Sequence, residues 1–140
     1  MTAPKRIQLR RTKGWRKPDG AVVVARPSTW GNPYHVGTMA DIYGTYYPLN
    51  HDALVVWHQD RKGFKRSGEW SGFADRAEAT RFAVDLYRRS LLAVSNGIDG
   101  ARHLDYYLGD LRGHDLACWC PPELPCHADA LLEIANGGAR

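Results

Sequence analysis

The amino-acid sequence predicts an α/β fold: a single Rossmann-like three-layer domain with a β-hairpin insertion. Three observations predict it. A valine run at 21–25, bounded by turn formers, has the composition of a buried strand. A long amphipathic helix with its own start signal begins at Asp75. A second apolar strand, residues 115–120, passes through a proline-rich turn into a final helix. Strand, loop, helix, strand, loop and helix in this order fit a layered α/β domain, with an antiparallel α+β domain as the competing architecture.

At 140 residues and 44% hydrophobic content the chain supports one core and not two. Residues 1–140 are therefore read as one domain, with 1–17 as a basic N-terminal arm and 35–72 as an insertion. Ile7-Gln8-Leu9 alternates like a short strand, and Lys17-Pro18-Asp19-Gly20 is a turn. Ala21-Val22-Val23-Val24-Ala25 then predicts a central strand, because strands buried on both faces are continuously apolar. Arg26-Pro27-Ser28-Thr29-Trp30-Gly31-Asn32-Pro33-Tyr34 follows as a loop at the carboxyl end of that strand, the edge where open α/β sheets bind ligands.

Residues 35–52 carry Gly37, Gly44 and Pro48 in a Tyr-rich stretch without a period, and no element is predicted there. Residues 53–58 and 64–70 read as two strands around the turn Asp60-Arg61-Lys62-Gly63, a hairpin expected to form a surface ribbon. In the helix that begins at Asp75, with Glu78 completing a capping box, Ala79, Phe82, Ala83, Leu86, Tyr87 and Leu91 form the apolar face; its end is expected near Asn96-Gly97. A second helical stretch spans 101–111. After the 115–120 strand, Pro121, Pro122 and Pro125 stop the chain, and 127–135 makes the last helix with Ala128, Leu131, Leu132 and Ala135 inward.

No stretch approaches the roughly 18 apolar residues that span a bilayer, and the opening MTAPKRIQLRRTKG lacks the apolar core of a secretory signal. The expectation is a cytoplasmic protein with no membrane partner. Three cysteines within nine consecutive positions suit a metal or reactive-thiol site in a reducing compartment better than a disulfide framework. Of the 19 Lys and Arg, seven lie in residues 1–17, where there is no acid; the remainder sets 12 basic against 15 acidic residues. The net charge of +4 is thus a property of the arm. Such an arm either neutralises phosphates of a polyanion or protects a solvated edge strand from pairing.

On an extended strand Cys118 and Cys120 project to one face and Trp119 to the other, while the proline turn brings Cys126 and His127 back at a helix start. Three uses of this cluster stand side by side. Cys118, Cys120, Cys126 and His127 can form a zinc tetrahedron, provided the adjacent pair sits at a non-helical cap. Alternatively, the helix start lowers the Cys126 pKa beside His127, making Cys126, His127 and Cys118 a catalytic group. The third use is simple burial, common for cysteine.

The 26–33 loop offers a second set: the Arg26 fork for phosphate, the Ser28 and Asn32 side chains as hydrogen-bonding groups, Trp30 as a stacking face and Gly31 for close backbone approach to a ligand. Trp30 in the core of a well-made turn is the alternative. In a parallel sheet both motifs open on one edge and face one crevice. His35, His51, His58, His103 and His114 are scattered, as are Trp15, Trp57 and Trp70, and packing accounts for them. No P-loop, GxGxxG, GxSxG or HExxH pattern is present.

The 26–34 segment, with Leu116-Ala117-Cys118-Trp119-Cys120 and Pro125-Cys126-His127-Ala128-Asp129, resembles an uncharacterised family of small proteins of bacteria and their phages, domain of unknown function 4326. The resemblance extends from about Val22 to Ala135. The C-terminal part is also similar to another uncharacterised family with a Cys-His helix start on a Rossmann-like fold. Neither resemblance supplies a reaction; a phage setting implies nucleotide or nucleic-acid metabolism by association. The functional expectation is a small nucleotide- or nucleobase-processing enzyme, acting on a glycosidic bond or a base, with its ligand between the 26–33 loop and the Cys126-His127 helix start. The alternatives are a zinc-stabilised nucleic-acid-binding protein without enzymatic activity and a phage-type factor that binds a host protein.

Overall fold

The computed structural model describes residues 3–26, 28–43, 52–59, 66–95 and 106–137. In chain order the elements are β1 (Arg6–Gln8), β2 (Val22–Val23), β3 (Tyr34–Thr38), the short α1 (Met39–Tyr43), β4 (Leu54–Gln59), β5 (Arg66–Ser71) and the long α2 (Arg76–Ser95). A 3-10 turn (Gly109–Leu111), β6 (Leu116–Cys118) and α3 (His127–Ala135) complete them. The fold is mixed α/β with two small sheets.

The first sheet has the order β1-β6-β2 and is parallel throughout, with Gln8 opposite Cys118 and Val22 opposite Leu116. Ladder bonds run past the strand ends, Leu9 N–H donating to Cys118 O at 2.7 Å and Val24 N–H to Ala117 O at 2.9 Å. The central strand is β6, whose three residues are all buried. This corrects the expectation from the valine run: β2 lies at an edge, and Val23 is 39% exposed. Continuous apolarity marks burial on two faces, and Leu116-Ala117-Cys118 meets that condition where Val22-Val23 does not.

The second sheet is antiparallel, β3-β4-β5. The expected hairpin is its β4–β5 pair, bulged between His58 and Gln59. It is no surface ribbon, because β3 pairs along β4 and Val56 is fully buried against Ala79 and Ala83 of α2. β3 arises in the stretch that shows no period; Gly37 explains the lapse, since a Cβ there would stand 2.9 Å from the Trp57 ring across the ladder.

Helix α2 joins the sheets. Its first half packs Ala79 and Ala83 on the antiparallel sheet, and its second half sends Tyr87 and Leu91 into the larger core with Leu108, Leu111, Leu116, Leu131 and Ile134. Asp75 caps it through the Glu78 N–H at 2.8 Å, and Glu78 reaches back to the Ala74 N–H at 2.6 Å, one residue earlier than the predicted box requires. A two-pronged Arg88–Glu133 pair ties α2 to α3, one prong at 2.7 Å. The expected 101–111 helix is seen from residue 106, helical to 108 and then tightening into the 3-10 turn; residues 101–105, and the expected helix end near Asn96-Gly97, lie outside the described residues.

Candidate functional site

Because β2 and β6 run parallel in register, the loop after β2 and the turn after β6 leave the sheet at the same edge. Between them and the first turns of α2 lies a crevice of about 320 Å³. Its polar lining comes from Arg26, Asn32, Tyr34, Arg76, Thr80, three cysteines and His127, and among the described residues no carboxylate lines it.

The turn that carries the cysteines is held by Arg6. With no N–H on Pro121, Pro122 or Pro125, the segment offers carbonyls and few donors. The Arg6 guanidinium donates to Leu124 O at 2.9 Å, Pro122 O at 2.7 Å and Pro121 O at 3.2 Å, and pairs with Asp129 at 3.0 Å. This residue of the basic arm is thus a part-buried clamp. Asp129 in turn accepts from the Cys126 N–H at 3.2 Å, while the Cys126 sulfur accepts from Ala128 N–H, so Cys126 is the N-cap of α3 inside a capping box. Its extended backbone, φ −141° and ψ 149°, supplies the non-helical cap that adjacent Cys126 and His127 side chains require in order to converge.

All three sulfurs lie within 4.8 Å of one another, with Cys118 and Cys126 only 2.9 Å apart. The strand ends at Cys118, two residues before the expected Cys120, but the alternation persists through the bend: Trp119 turns outward, 45% exposed, and Cys120 turns in, half-buried. His127 is fixed from the other side. Its Nε2 lies 2.7 Å from Val24 O, and a carbonyl only accepts, so Nε2 carries the proton. Nδ1 then presents its lone pair toward the sulfurs, 3.5 Å from that of Cys126. Such three-membered orientation is the arrangement of an activated thiol–imidazole pair, and also of a metal-bound histidine.

The sulfurs divide their protons unequally. Hydrogen bonds from Cys118, then Cys126, push the Cys120 thiol far down. The same contact with Cys120 raises Cys118 to about 11, and bonding to Cys118 and Cys120 together with burial pushes Cys126 up. These directions favour the charge on Cys120, the least buried of the three, whereas at Cys126 the bonds to Cys118 and Cys120, and then burial, oppose the helix start that favours a thiolate there. The Arg26 pKa is drawn down by burial, an effect partly offset by the charge of Cys120.

The 26–33 loop is rearranged relative to expectation. Arg26 lines the crevice, donating to Asn32 O at 3.1 Å. Trp30 does not line it: the indole N–H donates to Tyr107 O at 2.9 Å and the ring packs on the larger core, so the packing alternative holds. Asn32 reaches the crevice, yet its amide is engaged by Ala83 O and Tyr34 N–H. Ser28 stands off the lining, its hydroxyl buried without a partner among the described residues. Gly31 serves Arg26: a Cβ there would meet Arg26 Cγ at 2.7 Å. Arg76, Thr80 and Tyr34 are the lining groups that sequence reasoning missed. Arg76 and Thr80 share the i, i+4 spacing of one helix face, but nothing in the sequence says that this face meets a crevice.

His35 stacks on Trp57 with centroids 5.5 Å apart, and His114 bonds Gly20 O at 2.8 Å; His51 and His103 lie outside the described residues. A family model described as a domain of unknown function (DUF4326) matches residues 7–137. No curated protein and no solved structure matches the chain.

Replacing Arg6 by Met strips donors from three carbonyls of the cysteine turn. The Arg6→Met variant should lose about 2 to 4 kcal/mol in urea denaturation, and iodoacetamide should alkylate Cys126 faster; an unchanged midpoint would rule out the clamp. A second expectation concerns pH. Burial, then Arg26, then His58 pull the His35 pKa down to about 4, whereas the unfolded side chain titrates near 6.5. The folded protein then binds fewer protons between these values, so this stability is present above pH ~6.5 and lost as pH falls toward 4. His35→Phe should flatten the decline in the urea midpoint from pH 7 to pH 5, and a parallel decline would refute the assignment.

Proposed function

The chain belongs to the DUF4326 family, whose description assigns no activity, and from its crevice we propose a small nucleotide- or nucleobase-processing enzyme. The observation that carries this reading is the meeting, in one crevice without carboxylates among the described residues, of two guanidiniums and a sulfur cluster beside an oriented imidazole. Arg26 and Arg76 suit a phosphate, for which the planar fork of arginine is matched. Cys120 is the nucleophile and His127 Nδ1 the proton acceptor, with Val24 O as orienting group. Cys118 and Cys126 supply S–H donors that hold the thiolate. Between the two expected chemistries, the lining favours thiolate attack on a base or its substituent over glycosidic hydrolysis, which ordinarily needs a pair of carboxylates. The parallel sheet with its ligand at the carboxyl edge is read as the core of a Rossmann-like domain, and three free cysteines suit the reducing cytoplasm.

One further observation favours a second use of the same residues, the closeness of the sulfurs. Thiolates about 2.3 Å from a tetrahedral zinc stand about 3.8 Å apart, so Cys118 and Cys126 need open by only about 0.9 Å. The three sulfurs form the ligand group; His127 Nδ1, 3.5 Å from the Cys126 sulfur and with its Nε2–H held by a carbonyl as in metal-bound imidazoles, stands beside it as the candidate fourth ligand.

Titration calorimetry with nucleoside monophosphates should give binding that the parent nucleosides lack, weakened about 10- to 100-fold by Arg76→Gln or Arg26→Gln. Absence of binding by any monophosphate would overturn the nucleotide reading. Elemental analysis of protein purified without added metal decides the second use: one zinc per chain, with unfolding on chelation, supports it, whereas metal-free protein with three titratable thiols refutes it.

A further inference from the structure

Strand β1 runs parallel to β6 with Gln8 opposite Cys118, so the chain leaving it at Leu9 emerges on the crevice edge. What emerges there is the basic arm. Arg6 is consumed as a clamp, so the outward charge begins with exposed Arg10 and Arg11 and continues through Lys13 and Arg16. The Arg11 guanidinium lies 4.8 Å from the centroid of the Trp119 ring. Trp119 itself borders the crevice, between Cys118 and Cys120, 45% exposed. A partly exposed indole beside a cavity, with the Arg11 guanidinium against it and, among the described residues, no carboxylate in the lining, joins the two means by which proteins hold single strands: an aromatic ring for a base and positive charge for the backbone.

We infer that the carboxyl edge of the parallel sheet is a track for single-stranded nucleic acid. One nucleotide occupies the crevice between Arg26 and Arg76, its neighbour stacks on Trp119, and the following phosphates lie along the arm from Arg11 outward. The inference rests on the nucleotide reading of the crevice and deepens it: the substrate is a nucleotide unit of a strand, not a free nucleotide. A duplex is disfavoured because its bases are already stacked, leaving nothing for the indole to receive. The crevice, at about 320 Å³, lies at the small end of ligand pockets and suits a single unit.

Fluorescence anisotropy with labelled ten-residue thymidine and uridine oligonucleotides tests it, alongside a duplex of equal length and thymidine monophosphate as competitor. The oligonucleotides should bind at least about tenfold tighter than the monophosphate, with affinity falling as salt rises. Trp119→Ala should weaken them about 5- to 150-fold, circular dichroism confirming that the variant folds. Arg10→Gln with Arg11→Gln should reduce the salt slope by about 1 per arginine that meets a phosphate and leave monophosphate affinity unchanged. Oligonucleotides binding no better than the monophosphate, duplex binding as tight as single strand, or indifference to Trp119→Ala would each overturn the track. Monophosphate binding without an oligonucleotide advantage would do so while leaving the crevice reading intact; Trp119-dependent oligonucleotide binding with no monophosphate affinity would instead remove the crevice reading.

Discussion

The parallel pairing of β6 with both of its neighbours is the constraint on which the site depends. Three residues, Leu116-Ala117-Cys118, align β1 on one side and β2 on the other, and parallel strands deliver all their following segments to one edge. The basic arm, the Arg26 loop and the cysteine turn are distant in sequence and become neighbours for that reason alone. An antiparallel strand in either flanking position would send one of the three to the opposite edge, and the crevice would lose either its guanidinium or its arm.

Alignment brings the segments together; other contacts hold them at chemical distances. Arg6 gathers the carbonyls of a proline turn that cannot satisfy them locally, and Asp129 relays the same guanidinium to the Cys126 N–H. Across the crevice, Trp30 and Tyr107 lock the opposite loop by exchanging hydrogen bonds with each other's backbone neighbourhood, Trp30 to Tyr107 O and the Tyr107 hydroxyl to Thr29 O. The Val24 carbonyl, at the end of β2, then fixes the His127 ring between the two halves. Both walls are thus braced from behind by groups that do not themselves reach the ligand space, which leaves Arg26, Cys120 and Nδ1 of His127 oriented toward it.

Much of this was legible in the sequence, for identifiable reasons. The helix at 76–95 carries its period and its cap in local residues, and the Cys126-His127 helix start is announced by three prolines and a following apolar face. The convergence of cysteines followed from strand alternation, a rule that survived even though the strand itself stops at Cys118. What was not legible depends on partners far away in the chain. Nothing local distinguishes Arg6, a clamp, from Arg10 or Arg11, which remain outside; nor does the valine run reveal that its neighbour on one side is missing. Trp30 misled because an indole in a Gly-Asn-Pro loop has the same composition whether it stacks on a base or on Leu and Tyr side chains. The helix-start argument for a Cys126 thiolate sees only the dipole; the sulfur contacts and burial that oppose it are tertiary.

The two uses of the sulfur cluster look like rivals, yet toward a ligand they are electrostatically alike. With protons, Cys118 and Cys126 stay neutral and Cys120 carries one negative charge. With a divalent ion, three thiolates and a neutral imidazole, the centre again carries one negative charge. In both states a single negative charge forms the floor, and Arg26 and Arg76 exceed it by one positive charge in a lining that, among the described residues, has no carboxylate. The charge balance proposed to receive an anion is therefore the same in either state. What changes is reactivity: a free Cys120 thiolate is a strong nucleophile, while coordination draws off its charge and weakens it. The class of ligand is accordingly set by the guanidiniums and the carboxyl-edge geometry, and the class of reaction by what occupies the space between three sulfurs.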